Sequence, residues 1–306
     1  MWIHVLGSAA GGGFPQWNCG CPNCRGARQG GLQATPRTQD SLAVSEDGDA
    51  WFLLNASPEI RQQIESFSPL HPRGPRDSPV RAILLTNGDL DHCLGLFSLR
   101  ESHPLVIYAT ERVRRGLVES NAIFRTLQRF PEQVTWRVLT LGREEELNGL
   151  DGSPSGLSVV ALPAPGKLPI HLEGLMAPDP EDNVGLWIRE RRTGYLAVYL
   201  PGVASLDTPI LQAVEGADCL FFDGTFWSSD ELIRLGLSTK RAEDMAHLPI
   251  GSPAGSLAGL RALTVQRKIY THVNNTNPIL LKDTPERRAV EAARWEVAED
   301  GMEVRL

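Results

Sequence analysis

The chain has 306 residues, of which 42% are hydrophobic and 22% charged, and its 30 basic and 37 acidic residues give a formal net charge of -7. This is the composition of a globular protein with a sizeable core, and we interpret residues 1–306 as one domain with long loops. The acidic balance argues against binding along a nucleic-acid backbone. Because no apolar run approaches the roughly 18 residues that cross a bilayer and no leader pattern opens the sequence, we expect a cytoplasmic protein without membrane insertion.

The start of the sequence predicts short strands followed by a helix. Residues 2–6 alternate in polarity and predict a strand, and residues 41–44 and 51–54 predict an antiparallel hairpin. A helix is predicted to begin near Ser57, which would cap it, with two isoleucines four residues apart on one face.

The rest of the sequence predicts further strands and helices, because apolar runs indicate buried strands and amphipathic runs indicate helices. Strands are predicted over residues 80–85, 105–109, 157–162, 184–188, 195–200, 219–222, 268–270 and 303–306, and helices over residues 94–99, 111–119 and 285–295.

Three of the predicted strands run directly into polar segments. The strand at 80–85 leads into the loop 86–92, the strand at 219–222 leads into Asp223, and the strand at 268–270 leads into Thr271 and His272. When several strands end at one edge of a sheet, the groups that follow them converge. We therefore predict one functional site at these strand ends.

The loop 86–92 carries a compact set of donors. Asp89, Asp91 and His92 place carboxylate oxygens and an imidazole in one tight turn, which suits a metal ion. The alternative is that the acids cap the following helix, and that Asp223 and His272 are likewise a strand-end cap and a structural histidine. The predicted catalytic residues are these five, and the predicted metal ligands are the same set without Asp89.

The cysteines predict a second metal site. Three of the five lie in residues 19–24, as Cys19, Cys21 and Cys24, and an odd number crowded in this way does not fit a secreted disulfide framework. Three thiolates in a Gly/Pro loop fit structural zinc, with Asn275, His247 or a water as candidates for the fourth ligand. A redox pair or reactive thiol is the alternative.

Residues 226–256 form a connection that is too long for an ordinary loop and predict a functional loop or lid. Its flat apolar groups and cations could clamp a carboxylated aromatic ligand. The alternative is an exposed amphipathic excursion whose charges keep it in water. The candidate substrate-binding residues are Phe226, Trp227, Arg234, Lys240, Arg241 and His247.

The loop 86–92 resembles the Thr-His-x-His-x-Asp-His signature of the metallo-β-lactamase superfamily. Thr86, Asp91 and His92 match this signature, whereas Asn87 and Asp89 stand in place of its first two histidines. A zinc hydrolase would need the imidazoles that these two residues replace.

Two later landmarks follow in the order that the superfamily shows. Asp223 resembles its bridging aspartate and His272 resembles its last histidine. The altered positions are those that bind the first metal in two-metal relatives, so the resemblance implies a single-metal centre held by Asp91, His92 and His272. Two histidines and one carboxylate suit Fe(II) and O₂ chemistry, and zinc accepts the same donors.

The sequence as a whole resembles the pyrroloquinoline quinone (PQQ) biosynthesis protein B family. The resemblance extends over nearly the whole chain and implies an α/β fold, the metallo-β-lactamase-like four-layer αββα sandwich. The segments that carry it are residues 7–13, 15–19, 86–92, 222–227, 247–250 and 271–278.

This resemblance implies a role in making PQQ from a peptide-derived, cross-linked glutamate and tyrosine, by iron-dependent hydroxylation of the tyrosine-derived ring. Asp91, His92 and His272 would hold Fe(II), Asp223 and Asp89 would tune the metal or move protons, and intermediates could pass directly to other enzymes of the PQQ pathway. The alternatives are a carrier that helps to deliver PQQ or its precursor towards the periplasm, and a zinc-dependent hydrolase.

Overall fold

The structure is a computed structural model that describes residues 1–31, 33–101 and 103–306. Within these ranges the strands are β1 (Trp2–Gly7), β2 (Ser41–Ser45), β3 (Trp51–Leu54), β4 (Val80–Leu84), β5 (Leu105–Ala109), β6 (Val134–Val138), β7 (Glu144–Asn148), β8 (Pro154–Pro163), β9 (Val184–Glu190), β10 (Leu196–Leu200), β11 (Cys219–Asp223), β12 (Arg267–Thr271), β13 (Trp295–Val297) and β14 (Glu303–Arg305). The α-helices are α1 (Pro22–Gln29), α2 (Ile60–Ser66), α3 (Leu90–Cys93), α4 (Glu111–Val118), α5 (Thr208–Val214), α6 (Glu231–Arg234), α7 (Ser256–Gly259) and α8 (Pro285–Ala292).

The strands of the described ranges form two seven-stranded sheets. The order is β14-β1-β2-β3-β4-β5-β6 in the first sheet and β13-β12-β11-β10-β9-β8-β7 in the second. Strands β3 to β6 run parallel, as do β10 to β13. Strands β2 and β3 are antiparallel neighbours, which confirms the predicted hairpin.

Three apolar clusters show how the sheets and helices pack in layers. One cluster contains side chains of both sheets, such as Phe52 and Phe221, and lies between them. A second cluster includes Leu117 of α4 beside the first sheet, and a third includes Val290 of α8 beside the second sheet. Because successive strand residues point to opposite faces, both sheets can pack on two sides. The predicted four-layer αββα sandwich is therefore confirmed.

Threonine caps define where two of these helices begin. The Thr110 hydroxyl accepts a hydrogen bond from the backbone N–H of Val113 at the start of α4, and Thr284 accepts one from Arg287 at the start of α8. Pro285 follows the second cap, at a position where a backbone N–H would have no helical partner.

Three predicted helices differ from the structure. The first begins at Ile60 rather than near Ser57, whose buried hydroxyl caps nothing and has no partner among the described residues. Helix α8 ends at Ala292, and Trp295 belongs to β13 because it pairs with Lys268 of β12. Residues 94–99 form a 3-10 helix.

The carboxyl ends of β4, β11 and β12 lie close together at one edge of the sandwich. In the parallel pair β11 and β12, Asp223 lies opposite Thr271. His272, the residue after Thr271, therefore lies near Asp223. Strand β4 leads into α3, which contains Asp91 and His92. Among the described residues, no helix has both the length and the apolar character needed to cross a membrane.

Candidate metal centres

The histidine–aspartate cluster consists of Asp91, His92 and His272, whose donor atoms lie within 4.8 Å of one another. Asp91 Oδ2 lies 3.2 Å from His272 Nε2 and 3.8 Å from His92 Nε2. His92 Nε2 is buried and has no hydrogen-bond partner among the described residues. Because a buried polar atom without a partner is costly, this geometry fits a cation bound between the three donors.

The orientation of His92 is set by a hydroxyl behind it. Thr86 Oγ1 lies 3.0 Å from His92 Nδ1 and 3.1 Å from Asn55 Oδ1. The amide oxygen can only accept, so the hydroxyl proton points to Asn55 and the hydroxyl oxygen accepts the Nδ1 proton of His92. The lone pair of His92 is then on Nε2, which faces the cluster.

The three groups of this cluster differ in how they hold a proton. Burial lowers the pKa of His92 to about 4. Burial also lowers the pKa of His272, but the Asp91 carboxylate outweighs it and raises that pKa to about 9. Burial would raise the pKa of Asp91, but His92 and His272 hold it below its usual range. Near neutral pH the proton therefore lies on His272, and a metal ion would displace it on binding.

Asp223 is fully buried and acts as a hydrogen-bond acceptor. Its Oδ1 accepts from the backbone N–H of Thr225 at 2.9 Å and from the Thr225 hydroxyl at 2.6 Å. Its Oδ2 accepts from the backbone N–H of Val203 at 2.9 Å and from His247 Nδ1 at 2.7 Å. These donors use the lone-pair sites of both oxygens. The role of Asp223 as a direct ligand stays a prediction.

Thr225 connects Asp223 with the histidines. Because its proton is donated to Asp223, its oxygen accepts from His272 Nδ1, which lies 2.9 Å away. The donor atoms of Asp223, His247 and His272 also lie within 4.8 Å of one another. His272 has a positive φ of 54°, an uncommon conformation for a residue with a side chain.

Asn87 and Asp89, at the two altered positions, lie beside the cluster. Asn87 Nδ2 donates to Asn183 Oδ1 at 3.1 Å, and Asn87 Oδ1 accepts from the backbone N–H of Asp89 at 3.0 Å. Burial and the nearby Asp91 raise the pKa of Asp89. Among the described residues, Asp89 is not part of any group of three or more donors whose atoms all lie within 4.8 Å of one another.

A pocket of about 380 Å³ opens onto the cluster. This volume lies within the range of small-molecule sites, roughly 300–1,000 Å³. The predicted site residues that line it are Asp89, Asp91, His92, His272, Phe226 and His247.

The predicted substrate-binding cations lie elsewhere. Arg234, Lys240 and Arg241 are exposed, and neither they nor Trp227 line this pocket. Arg234 instead pairs with Asp230, the residue directly before its own helix. Among the described residues, the cation on the pocket wall is Lys167, which the sequence interpretation missed. Little in the sequence indicates that Lys167 lies at the pocket, because it is a single lysine in the Pro/Gly segment between β8 and β9.

A buried hydrogen-bond network connects the residue that orients His92 with the residue that precedes His272. Asn55 Nδ2 lies 3.1 Å from the Tyr199 hydroxyl, which donates to Asp40 Oδ2 at 2.6 Å. The Thr271 hydroxyl donates to the other oxygen of Asp40. Burial raises the pKa of Asp40 to about 6. The network runs from Thr86, which orients His92, to Thr271, the residue before His272.

The cysteine cluster consists of Cys19, Cys21 and Cys24, at the start of α1. Their sulfurs lie within 4.8 Å of one another and the side chains are buried. Backbone N–H groups point at the sulfurs, for example from Gln16 to Cys24 at 3.4 Å. Burial raises the pKa of Cys21 to about 12, so that this thiol would ionise near neutral pH only beside a cation. This donor set fits zinc.

Of the two side chains considered for the fourth ligand, Asn275 lies at the sulfurs. Asn275 Nδ2 is 3.2 Å from the Sγ atoms of Cys19 and Cys24 and 3.7 Å from that of Cys21. His247 instead hydrogen-bonds Asp223. A rotation of the Asn275 amide by half a turn would present its oxygen to a zinc ion at this place.

Comparison with known sequences points to one family. The model of the beta-lactamase superfamily domain matches residues 50–273. Coenzyme PQQ synthesis protein B of Azotobacter vinelandii is 44% identical over 307 residues, and that of Pseudomonas putida is 42% identical over 309 residues. Each alignment covers 100% of both chains.

Solved structures agree with this comparison. Zn(2+)-bound PqqB from Methylobacterium extorquens is 42% identical and has a TM-score of 0.92, with 100% of both chains covered. A diphosphatase of the PhnP family, at 19% identity, has a TM-score of 0.65 over 99% of this chain and 96% of its own. The second likeness concerns the fold alone.

Proposed function

The chain belongs to the coenzyme PQQ synthesis protein B family, and from this premise we propose that it is a metal-dependent enzyme of PQQ biosynthesis. The proposed reaction is hydroxylation by O₂ of the tyrosine-derived ring of a PQQ precursor. The observation that carries the proposal is the convergence of two imidazoles and one carboxylate in the lining of an open pocket.

The donor set favours a single iron centre. Asp91, His92 and His272 would hold Fe(II), which with these ligands supplies open positions for O₂ and for substrate. Zinc accepts the same donors, and its presence in isolated protein would be compatible with this site. Asn275 with the three cysteines would hold a structural zinc.

His247 is the group that we propose to move a proton. Its Nδ1 lies 2.7 Å from Asp223 Oδ2, and its Nε2 has no hydrogen-bond partner among the described residues. The side chain lines the pocket. Nε2 can therefore accept a proton from a substrate bound there, while the Asp223 carboxylate stabilises the resulting imidazolium.

The walls of the pocket suit an aromatic amino-acid substrate. Phe226 offers an apolar face, and Lys167 offers a cation for a substrate carboxylate. Asp89, whose pKa is raised, lies on the same wall and could hold or release a proton during the reaction. This arrangement gives Lys167 the role that the sequence suggested for the loop cations.

The experiment that tests the proposal is O₂ uptake by protein loaded with Fe(II) under anaerobic conditions. The substrate would be a cross-linked glutamate–tyrosine precursor, with ascorbate as reductant, since hydroxylation inserts one oxygen atom and reduces the other to water. Zn²⁺-loaded protein and His92→Ala are the controls. Catalytic uptake and a hydroxylated product only with iron and intact His92 are expected.

Other outcomes would reject this reaction. Tight stoichiometric binding of the precursor or of PQQ without uptake would favour a carrier. Hydrolysis of a phosphodiester by the Zn²⁺-loaded protein, again without O₂ uptake, would favour a hydrolase.

A further inference from the structure

A second and larger concave surface lies on the other side of the segment that follows β11. Phe226 lines the pocket at the histidine–aspartate cluster, whereas the next residue, Trp227, lines this groove. The backbone of Gly251 donates to the carbonyl of Trp227 at 2.9 Å and continues the groove wall. The groove has a volume of about 1160 Å³ and extends past α7 to β12, β13 and the end of α8. We call this surface the basic groove.

The charges of the basic groove are of one sign. Arg261, Lys268 and Arg294 line it, and no carboxylate side chain of the described residues does. None of the three cations forms an ion pair or a side-chain hydrogen bond with any residue that the structure describes. The chain as a whole has a net charge of -7, so this positively charged surface is opposite in sign to the whole protein.

Lys268 is the least expected member of the set. The residue is only 9% exposed, and its Nζ lies 5.5 Å from the centre of the Trp295 ring. Burial and the nearby Arg294 lower the pKa of Lys268. The ammonium is partly desolvated and has no counterion among the described residues, and a contact with one aromatic face offsets only part of the cost of that desolvation. An anion in the groove would offset the rest.

The apolar part of the wall complements these charges. Trp227, Leu257 and Leu263 are partly buried and line the groove between the cations. Tryptophan and arginine are the residues on which the affinity of protein interfaces most often depends. The volume also exceeds the roughly 300–1,000 Å³ of a site that encloses one small molecule.

We propose that the basic groove binds an acidic segment of a partner protein. The carboxylates of that segment pair with Arg261, Lys268 and Arg294, and its apolar side chains pack on Trp227 and the leucines. This site uses none of the residues of the two metal centres, so the proposal can be tested independently of the proposed reaction.

The test is fluorescence anisotropy with the full chain and a short fluorescein-labelled peptide in which glutamates alternate with phenylalanine and leucine. The same peptide with glutamine in place of glutamate shows whether charge is required. The variants Lys268→Met, Arg261→Ala and Arg294→Ala each remove one groove cation. Arg125→Ala, in the 3-10 helix Ala122–Leu127, is the matched control, because it removes an exposed cation that does not line the groove.

We expect each groove variant to weaken peptide binding by at least about tenfold, Arg125→Ala to have little effect, and added salt to weaken binding to the unmodified chain. Arg261 and Arg294 are exposed, so these variants should keep the fold even if Lys268→Met does not. Absence of binding at low salt, equal binding of the glutamine peptide, or equal binding by all variants would overturn the proposal. Displacement by citrate at an equal concentration would assign the groove to small polycarboxylates instead and would also overturn it.

Discussion

The cysteine cluster takes its sulfurs from residues 19–24, whereas the histidine–aspartate cluster takes its donors from the ends of strands in both sheets. The sulfurs are buried and line none of the described pockets, while the imidazoles open onto a pocket. A closed set of thiolates is typical of structural zinc, and an open set of imidazoles and carboxylate is typical of a catalytic metal. We therefore expect substitutions in the histidine–aspartate cluster to lower activity and substitutions in the cysteine cluster to lower stability.

The largest effect is expected from His92→Ala. This variant removes one imidazole from the open site, and we expect metal-dependent turnover to fall by at least about a thousandfold without loss of the fold. Metal analysis should show one ion fewer per chain, with zinc at the cysteines retained. His71→Ala, which removes a surface imidazole, is the control and should keep both metal and turnover. Near-normal turnover of His92→Ala would contradict the assignment.

Cys24→Ala should produce the opposite pattern. Loss of a proposed zinc ligand in a closed site should lower the free energy of unfolding by about 4 kcal/mol or more, measured by denaturant unfolding of the zinc-loaded protein. Cys219→Ala also removes a buried thiol but no proposed ligand, and we expect a cost of about 1 kcal/mol. Equal losses for the two variants would show that the cysteine cluster holds no structural metal.

A smaller effect is expected from Thr225→Val, which keeps the size of the side chain but removes the hydroxyl that orients His272. Metal affinity at the open site should fall by roughly 10–100-fold, as measured by competition with a chelator dye, and zinc at the cysteines should be unaffected. Thr140→Val, in an exposed turn, is the matched control. An unchanged affinity would mean that the backbone alone positions His272.

The smallest effect on the two clusters is expected at Glu231, which belongs to neither of them and should affect stability alone. Its carboxylate accepts from the Thr276 hydroxyl and from the backbone N–H of Trp227. Burial raises its pKa from 4.5 to about 7. The protonated form is therefore favoured in the folded state, and its contribution to stability is complete below pH 4.5 and is lost as the pH rises through about 7.

The variant Glu231→Gln cannot ionise, so the unfolding free energy of the unmodified chain should fall relative to it by about 3 kcal/mol across this pH range. Denaturant unfolding across this pH range measures the difference. Parallel pH curves for the two proteins would be inconsistent with a raised pKa at Glu231.

The convergence of the donors in both clusters could be predicted in large part, because these residues are close in sequence or follow apolar strands. Cys19, Cys21 and Cys24 lie within one loop, and Asp91 and His92 follow the buried strand β4 directly. The link to His272 needed the additional inference that several strands end at one edge. The resemblance to a known family then supplied the order of the sheets and layers.

The remaining features depend on contacts between distant parts of the chain. Lys167 reaches the pocket from the connection between β8 and β9, and nothing in its own neighbourhood indicates this. Trp295 continues a helical pattern but becomes a strand residue because it pairs with Lys268 of β12. Strands β6 and β7 were not predicted, since they are edge strands with many half-exposed residues rather than apolar runs.

The short segment after β12 contributes to both clusters, with His272 in one and Asn275 in the other. The number of residues between these two side chains sets how far apart they can lie and in which directions they point. A single inserted or deleted residue there would move at least one of them out of its place. Changes in chain length should therefore be tolerated at the mostly exposed residues 235–241 far more readily than in these few residues, which act as a spacer of fixed length between the two clusters of candidate metal ligands.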